Sequence, residues 1–444
     1  MGNNQPIATS KDTLPVIRER IITIVERLLQ DHWGDDDFEE GVQGNLRLIA
    51  DIGLTSVDFV TLFVAIEEEW GQKIGFHDLI MVAGKYVDDL SIDEIAAYVE
   101  KKHADIPDAD GDLSPPGNDC VPEKATIDHK TIARFRQIIP EPLPRTGSAI
   151  RNKRVIFLLS APRTGSTLLQ AILAGHPRLF APPELHLLLY ATLDERRDVL
   201  SVDNRTHFLN GTIRALMELD GMTAEQAARL MATWEDKGIR VDEFYGMLQQ
   251  RLGEDRCLVD KTPVYGYSPD VLRRAESDFI EPFFIHLVRH PCGMALSFAD
   301  AKLDRFAPFM RRHEEEFSRW QFAELAWLVC NQNIVDFLQD VPGHRWFRVK
   351  YEDVITDPVA TVHDLCRSLG VDFVPNMLNA YDDKTKRMTD GLGTVSRMSG
   401  DLKFHLHTHI DPDVAFRWKR FVSEDMPSDV TWALAELLGY RKGG

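Results

Sequence analysis

The chain has 444 residues, too many for one ordinary core, so we expect at least two domains. Its net charge of −19 argues against nucleic acid as a partner, because the densely charged backbone of a nucleic acid is bound by surfaces rich in basic residues. No apolar run is long enough to cross a membrane, and the first residues lack the layout of a signal peptide. The five cysteines form no C-x-x-C pair, which excludes a zinc or disulfide framework and favours a reduced, cytoplasmic protein.

The first hundred residues are predicted to form a small, acidic, all-α bundle of three or four helices. Residues 1–103 contain 20 Asp and Glu against 9 Lys and Arg. Apolar residues recur at helical spacing from Leu14 to about Trp33, and again from Ile92 to Lys102. Ser91 immediately precedes the second of these segments, and Glu94 lies three residues after it, which is the spacing of a capping box. Short helices in a segment of this length form a bundle.

The stretch Asp51-Ile-Gly-Leu-Thr-Ser-Val-Asp58 is similar to the segment that opens the second helix of acyl carrier proteins, and Leu90-Ser-Ile-Asp-Glu-Ile-Ala96 adds to the likeness. The resemblance implies that Ser56 carries a 4′-phosphopantetheine arm, attached by a phosphopantetheinyl transferase. It also implies that the acidic second helix is the face that partner enzymes recognise. Thr55-Ser56-Val57 departs from the family's usual Asp-Ser-Leu. From the residues alone, Ser56 could be simply a helix cap.

A change in amino-acid composition marks the predicted domain boundary. Residues 104–124 are rich in Pro, Gly and Asp with little to bury, which predicts a flexible linker. We therefore expect a carrier domain over 1–103, this linker, and a second domain over 125–444. A tether of this kind would deliver a carried group to a site at high effective concentration. A short helix is predicted next, from Thr126 to Ile138.

Five apolar runs in the second domain are typical of buried strands, and helical patterns lie between most of them. The alternation predicts an α/β fold with a mainly parallel sheet covered on both faces. Ligands of such folds bind at the carboxyl ends of the strands. A long helix is predicted from Trp320 to Leu338. The five runs are Val155–Leu159, Leu179–Glu184, Cys257–Asp260, Phe283–Arg289 and Trp346–Tyr351.

The first run leads into the turn Ser160-Ala-Pro-Arg-Thr-Gly-Ser-Thr167, and a helical pattern follows. A strand, a tight turn and a helix in this order point free N–H groups at a phosphate or sulfate. Arg163 adds charge, and Ser166 and Thr167 add hydroxyl donors. The turn lacks the Gly-Lys-Ser/Thr ending of a Walker A loop, which disfavours a kinase. Taken alone, the stretch could also be an ordinary strand-to-helix turn.

A second pattern follows the fourth run. Arg289 ends that run, Pro291 is placed to open a helix, and Ser297 lies two turns further on. A guanidinium and a hydroxyl in this arrangement could hold a second phosphate. Either residue would be an ordinary structural one if it stood alone.

Together with Tyr351-Glu-Asp353, these motifs occur in the order found in sulfotransferases that use 3′-phosphoadenosine-5′-phosphosulfate, and residues 150–410 resemble that family, whose domain is P-loop-like. The resemblance implies that the turn holds the 5′-phosphosulfate, that Arg289 and Ser297 bind the 3′-phosphate and that Tyr351 lies by the adenine. Lys403 would belong to a loop that closes on the cofactor. The alternating histidines beside it have no completing ligands, so we expect no metal. The turn residues are Arg163, Thr164, Gly165, Ser166 and Thr167.

Sulfuryl transfer to a hydroxyl needs a base and donors for the transferred group. Glu184 is the preferred base, because it follows two prolines and related sulfotransferases have a Glu in a similar Pro-x-Glu position. His186 and His290 compete with it. Lys261 would donate to the sulfonate, unless it only pairs with Asp260. The helical segment 194–251 is expected to shape an acyl channel, although core packing would explain its Met and Leu content equally well.

A carrier joined to such a body most resembles the carrier–sulfotransferase pairs of bacterial polyketide assembly lines. The resemblance implies sulfonation of the β-hydroxyl of a carrier-bound acyl chain, with polyketide synthase modules as partners. A thioesterase would then expel sulfate and CO₂ and leave a terminal alkene. Two alternatives stay open: a sulfotransferase for a free small hydroxyl compound that uses the carrier for docking, or a non-catalytic assembly-line scaffold.

Overall fold

The computed structural model describes residues 127–145, 151–202, 205–381 and 409–443, together with 14–33, 89–104 and shorter stretches between 42 and 86. The chain divides into two compact units, residues 1–122 and 123–444. Ser56, Lys403 and all but the first residue of the predicted linker lie outside the described residues. No helix in the described parts is both long enough and apolar enough to pass through a membrane.

The first unit is mainly helical in its described parts, as predicted. Helix α1 spans Leu14–Trp33 and α2 spans Ile92–Ala104, and both contribute to one buried apolar core. A two-residue hairpin, β1 Met81–Val82 and β2 Lys85–Tyr86, was not predicted.

The predicted capping box opens α2. The Ser91 N–H donates to the Glu94 carboxylate at 2.7 Å, and the Glu94 N–H donates to the Ser91 hydroxyl at 3.2 Å. Two N–H groups that the first turn leaves without partners are satisfied in this way.

The second unit contains a five-stranded sheet in which every neighbouring pair is parallel, which confirms the predicted fold class. The strand order is β4-β5-β3-β6-β7, so the connections leave the central strand β3 in opposite directions. In such sheets ligands bind where the order reverses, outside the carboxyl ends of the strands. The strands are β3 Val155–Ser160, β4 Leu179–Phe180, β5 Cys257–Lys261, β6 Phe283–Val288 and β7 Trp346–Lys350.

Helices cover this sheet on both faces. In chain order they are α3 His129–Ile138, α4 Ser166–Ala174, α5 Leu193–Leu200, α6 Asn210–Asp220, α7 Ala224–Asp236, α8 Val241–Leu252, α9 Pro269–Ser277, α10 Pro291–Asp300, α11 Leu303–Phe306, α12 Pro308–Arg311, α13 Arg319–Gln339, α14 Tyr351–Thr356, α15 Pro358–Leu369 and α16 Asp429–Leu437.

The central strand supplies two separate cores. Phe157 and Leu159 pack in a cluster with residues of α5 to α9, whereas Ile156 and Leu158 pack in a cluster with residues of α4, α14 and α15. Successive side chains of a strand point to opposite faces, so an unbroken apolar run is what a strand covered on both sides requires.

Two predicted boundaries differ from the structure by three residues or more. The second predicted strand ends at Phe180 and not at Glu184. Pro182 and Pro183 have no N–H to donate to a ladder, so the chain leaves the sheet before them. The helix predicted from Thr126 begins at His129, because Asp128 accepts the Thr131 N–H at 2.8 Å and caps it.

The long helix α13 also begins with a capping box, and this generates a prediction. The Ser318 hydroxyl accepts the Gln321 N–H at 3.2 Å, and the Gln321 side chain accepts the Ser318 N–H at 2.9 Å. We expect Ser318→Ala to lower the free energy of unfolding by about 1 kcal/mol, as measured by urea titration. The control is Ser368→Ala, at a partly exposed serine in the last turn of α15 that caps no helix N-terminus. It should change that free energy by less than about 0.5 kcal/mol, and equal losses in the two variants would refute the capping role.

Candidate active site

The turn between β3 and α4 has the shape of an anion cradle. Gly165 adopts a left-handed backbone with φ 87°, and a Cβ there would lie 2.3 Å from the Tyr351 ring. Only glycine fits both the backbone and the space. The Thr164 hydroxyl donates to the Ala161 carbonyl at 2.7 Å and closes the turn. Ser166 and Thr167 follow as the first, buried residues of α4, whose N–H groups face out of the turn.

The second predicted motif meets this turn. The Arg289 guanidinium donates to the Arg163 carbonyl at 3.0 Å, and the Arg163 Nε donates to the Ser297 hydroxyl at 3.3 Å. Arg289 also lies over the Tyr351 ring, 4.3 Å from its centroid. The Trp327 indole of α13 donates to the Arg289 carbonyl at 2.8 Å and fixes that end of β6. Six predicted residues from three separate motifs thus line one pocket: Arg163, Gly165, Thr167, Arg289, Ser297 and Tyr351.

Two donors in this pocket are placed for a ligand. The Arg289 Nε and the Trp418 Nε1 are buried, and neither has an acceptor among the described residues. A Cβ at Gly293 would lie 3.0 Å from the Trp418 ring and 3.3 Å from the Arg289 Nε, so the glycine leaves room beside both. Buried donors without acceptors are costly, and an anion would satisfy them.

The pocket includes residues that the sequence did not indicate. Arg417 and Trp418 line it, and Arg417 also pairs with Asp300 of α10 at 3.3 Å. These two residues belong to a short basic run that follows no predicted strand. Basic character is the one signal that could have pointed to them.

The preferred base, Glu184, lies in a buried ionic cluster. It is 5% exposed; its Oε1 accepts from the Lys261 ammonium at 2.6 Å, and its Oε2 lies 3.0 Å from the His186 Nε2. Lys261 therefore pairs with Glu184 and not with Asp260, which lies on the opposite face of β5. The structure brings together Glu184, His186 and Lys261, three of the four predicted catalytic residues.

Electrostatics keep Glu184 ionised. Burial alone would raise the pKa of its carboxyl, but the Lys261 charge and the His186 hydrogen bond outweigh burial and lower that pKa to about 2. The cluster therefore holds a carboxylate at neutral pH.

The loop that carries Glu184 is tied to the anion-binding turn through α4. The Gln170 side chain donates to the Ala181 carbonyl at 3.4 Å and also to the Pro182 carbonyl. On the other side, Gly211 approaches so closely that a Cβ there would lie 2.0 Å from the Glu184 carbonyl oxygen. The loop has little room to move.

His290, the fourth candidate, lies in a different environment. Its ring stacks on Trp418 with centroids 4.0 Å apart and contacts Trp432 and Tyr440 at their edges. Burial and nearby cations lower the pKa of His290 to about 4, so it is neutral at pH 7. The backbone N–H of His290 donates to the Glu352 carboxylate at 2.9 Å, which fixes the start of α10 beside the pocket.

The predicted helical segment 194–251 forms α5 to α8. Phe208, which precedes α6, lies over His186 with ring centroids 4.4 Å apart. Ile213 and Met217 of α6 are partly buried against the core of that face. Core packing thus accounts for part of the apolar content, and the acyl channel stays a prediction.

Comparison with known proteins defines the class. Residues 155–375 match the model of the sulfotransferase family. The sulfotransferase domain from the curacin biosynthetic pathway is 33% identical, with a TM-score of 0.60, over 66% of this chain and 99% of that domain. The domain from the Synechococcus PCC 7002 olefin synthase is 34% identical, with a TM-score of 0.59, over 67% of this chain and 99% of that domain. The chain belongs to the sulfotransferase family and is an enzyme of that type.

The N-terminal region has its own relative. The acyl carrier protein of Thermotoga maritima is 32% identical over 85 residues, which cover 19% of this chain and 94% of that protein. The protein therefore joins an acyl carrier protein region to a sulfotransferase domain.

The buried pair predicts a pH-dependent stability. Lys261→Met leaves the Glu184 carboxylate buried beside His186 alone, so we expect the free energy of unfolding at pH 7 to fall by about 3–5 kcal/mol. In the variant, burial would raise the Glu184 pKa above its ordinary value of 4.5, so the deficit should shrink as the pH falls towards 4.5. In the unsubstituted protein, the carboxylate contributes stability above pH 4.5 and loses it as the pH falls towards 2.

Urea titrations from pH 7 to 4.5 would measure both effects. The matched control is the double variant Lys261→Met/Glu184→Gln, which removes both charges and should recover most of the stability without that pH dependence. Equal stability of the single and double variants at every pH would show that the two groups are not coupled.

Proposed function

We propose that this enzyme transfers a sulfuryl group from 3′-phosphoadenosine-5′-phosphosulfate to the β-hydroxyl of an acyl chain held on a phosphopantetheine arm at Ser56. The observation that carries the proposal is the buried cluster of Glu184, Lys261 and His186. It lies at the carboxyl ends of the strands, as does the pocket lined by Arg163, Arg289, Ser297 and Tyr351, which we call the anion pocket. Transfer of a charged group depends on positioning and electrostatic stabilisation, and both are available at this edge.

The residues present fit the donor. The Arg163 to Thr167 turn and the start of α4 would hold the 5′-phosphosulfate, whereas Arg289 and Ser297 would hold the 3′-phosphate. Tyr351 would lie by the adenine, and the buried donors of Arg289 and Trp418 would find acceptors. The donor supplies an activated sulfuryl group. Lys403 stays a predicted member of a loop that closes over it.

Glu184 is the proposed base for the acceptor hydroxyl. With Lys261 and His186 both bonded to it, its pKa of about 2 makes it a weak base. If the Lys261 ammonium turned from Glu184 to the sulfonate of a bound donor, Oε1 would be free and the Glu184 pKa would rise. The same movement would place positive charge where negative charge develops. His186 would continue to orient the carboxylate.

The acyl substrate is supported by the relatives. The two similar domains belong, by their names, to the curacin biosynthetic pathway and to an olefin synthase, and this chain carries its own carrier region. We propose that a phosphopantetheinyl transferase loads Ser56 and that polyketide synthase modules supply the chain. A thioesterase that expels sulfate and CO₂ is the kind of reaction that would consume the product.

The first prediction concerns the carrier. Incubation with a phosphopantetheinyl transferase and a 3-hydroxyacyl coenzyme A should add one acyl-phosphopantetheine to the intact protein, as seen by mass spectrometry. Addition of the sulfuryl donor should then add one SO₃. Ser56→Ala should abolish both gains, whereas Ser91→Ala, at a serine that caps another helix of the same unit, should retain them. Loading of the Ser56→Ala variant would place the arm elsewhere.

The second prediction concerns the base. Glu184→Gln keeps the size of the side chain and removes its basicity, so kcat should fall by about 10²–10⁴-fold. Binding of adenosine 3′,5′-bisphosphate should change little in calorimetry, because Glu184 is outside the residues that line the anion pocket. His290→Gln is the comparison variant and should keep most of its kcat. A loss in His290→Gln with an active Glu184→Gln would reverse the assignment.

A further inference from the structure

The loop 184–188, which carries Glu184 and His186, is held by side chains in place of a regular ladder. His186 has a left-handed backbone with φ 50°, which costs energy for a residue other than glycine. Such a conformation persists only where its surroundings impose it. The surroundings of this loop are therefore part of the site.

Three consecutive N–H groups of the loop donate to two buried hydroxyls. The His186 N–H donates to the Thr262 Oγ1 at 3.4 Å. The N–H groups of Leu187 and Leu188 both donate to the Tyr265 hydroxyl, at 3.0 and 3.2 Å. Opposite them, the fully buried Arg196 donates from Nε to the Leu185 carbonyl at 3.0 Å.

Asp260 fixes the direction of these hydrogen bonds. Its Oδ1 accepts from the Thr262 hydroxyl at 3.1 Å, and its Oδ2 accepts from the Tyr265 hydroxyl at 3.1 Å and from Tyr245 at 2.5 Å. A backbone N–H can only donate, so the Thr262 and Tyr265 oxygens accept from the loop and each hydroxyl has its own hydrogen left for Asp260. The lone pairs of Thr262 and Tyr265 then face the loop and must accept its N–H groups.

We propose that Asp260 is a positioning residue that clamps the loop 184–188 through Tyr265 and Thr262 and so holds Glu184 and His186 in their reactive places. The inference deepens the proposed function and rests on it for the role of Glu184. Because Asp260 and Lys261 are adjacent on β5 and point to opposite faces, one strand supplies both the clamp and the cation that pairs with Glu184.

The chain offers a matched pair of variants for the test. Tyr245→Phe and Tyr265→Phe each remove one buried hydroxyl that donates to the same Asp260 oxygen. Only the Tyr265 hydroxyl also accepts from the loop. Tyr265→Phe should lose more stability than Tyr245→Phe, because it also leaves two loop N–H groups without an acceptor. Tyr265→Phe should lower kcat by at least about tenfold, since a displaced base costs rate, and Tyr245→Phe should not.

Two further measurements separate a clamp from a general structural role. Hydrogen exchange at the Leu187 and Leu188 amides should accelerate in Tyr265→Phe and not in Tyr245→Phe. Affinity for adenosine 3′,5′-bisphosphate should be unchanged in both. Unchanged amide exchange in Tyr265→Phe, or equal kcat in the two variants, would overturn the clamp.

Glu184→Gln, assayed alongside, distinguishes the two possible failures. An inactive Glu184→Gln with equal Tyr variants would leave the proposed base standing and remove the clamp. An active Glu184→Gln would remove the proposed base and with it the catalytic part of the clamp, even where amide exchange followed the expected pattern.

Discussion

The burial of the Glu184 carboxylate is the constraint on which the site depends. An ion removed from water costs several kcal/mol unless a partner of opposite charge and further hydrogen bonds replace the lost hydration. Here the partner, Lys261, lies 77 residues further along the chain, at the end of a strand next to the centre of the sheet. The loop of Glu184 and the strand of Lys261 must therefore reach their places together, and the sheet register determines whether they can.

That register has little tolerance. Leu158 of β3 pairs with Lys261 of β5, and the residues before and after Lys261 point to the other face. A slip of one residue would exchange the faces of Asp260 and Lys261 and bring a second carboxylate against Glu184. The hydroxyls of Tyr245 and Tyr265 could not then meet Asp260. One strand register thus provides partners for two buried acids: a cation for Glu184 and hydroxyl donors for Asp260.

The residues that follow strands could be predicted from the sequence for a physical reason. Arg163, Arg289 and Tyr351 follow strands, and the ends of parallel strands share an edge, so pattern alone brings them together. Tyr245, beside Asp260, and Trp418, in the anion pocket, lie on elements whose placement depends on tertiary packing, so the pattern of strand ends does not indicate them. His186 and His290 each follow a recognisable motif, so the sequence does not distinguish them. The structure shows that His186 is bonded to Glu184 and that His290 stacks on Trp418.

The two parts of the site are connected by a single helix. The N-terminus of α4 faces the anion pocket, and Gln170, one turn later, bonds to the carbonyls of the loop that leads to Glu184. The turn between β3 and α4 and the loop that leads to Glu184 are therefore anchored about one helical turn apart on the same helix, so helix geometry determines their separation, although different residues of α4 hold them.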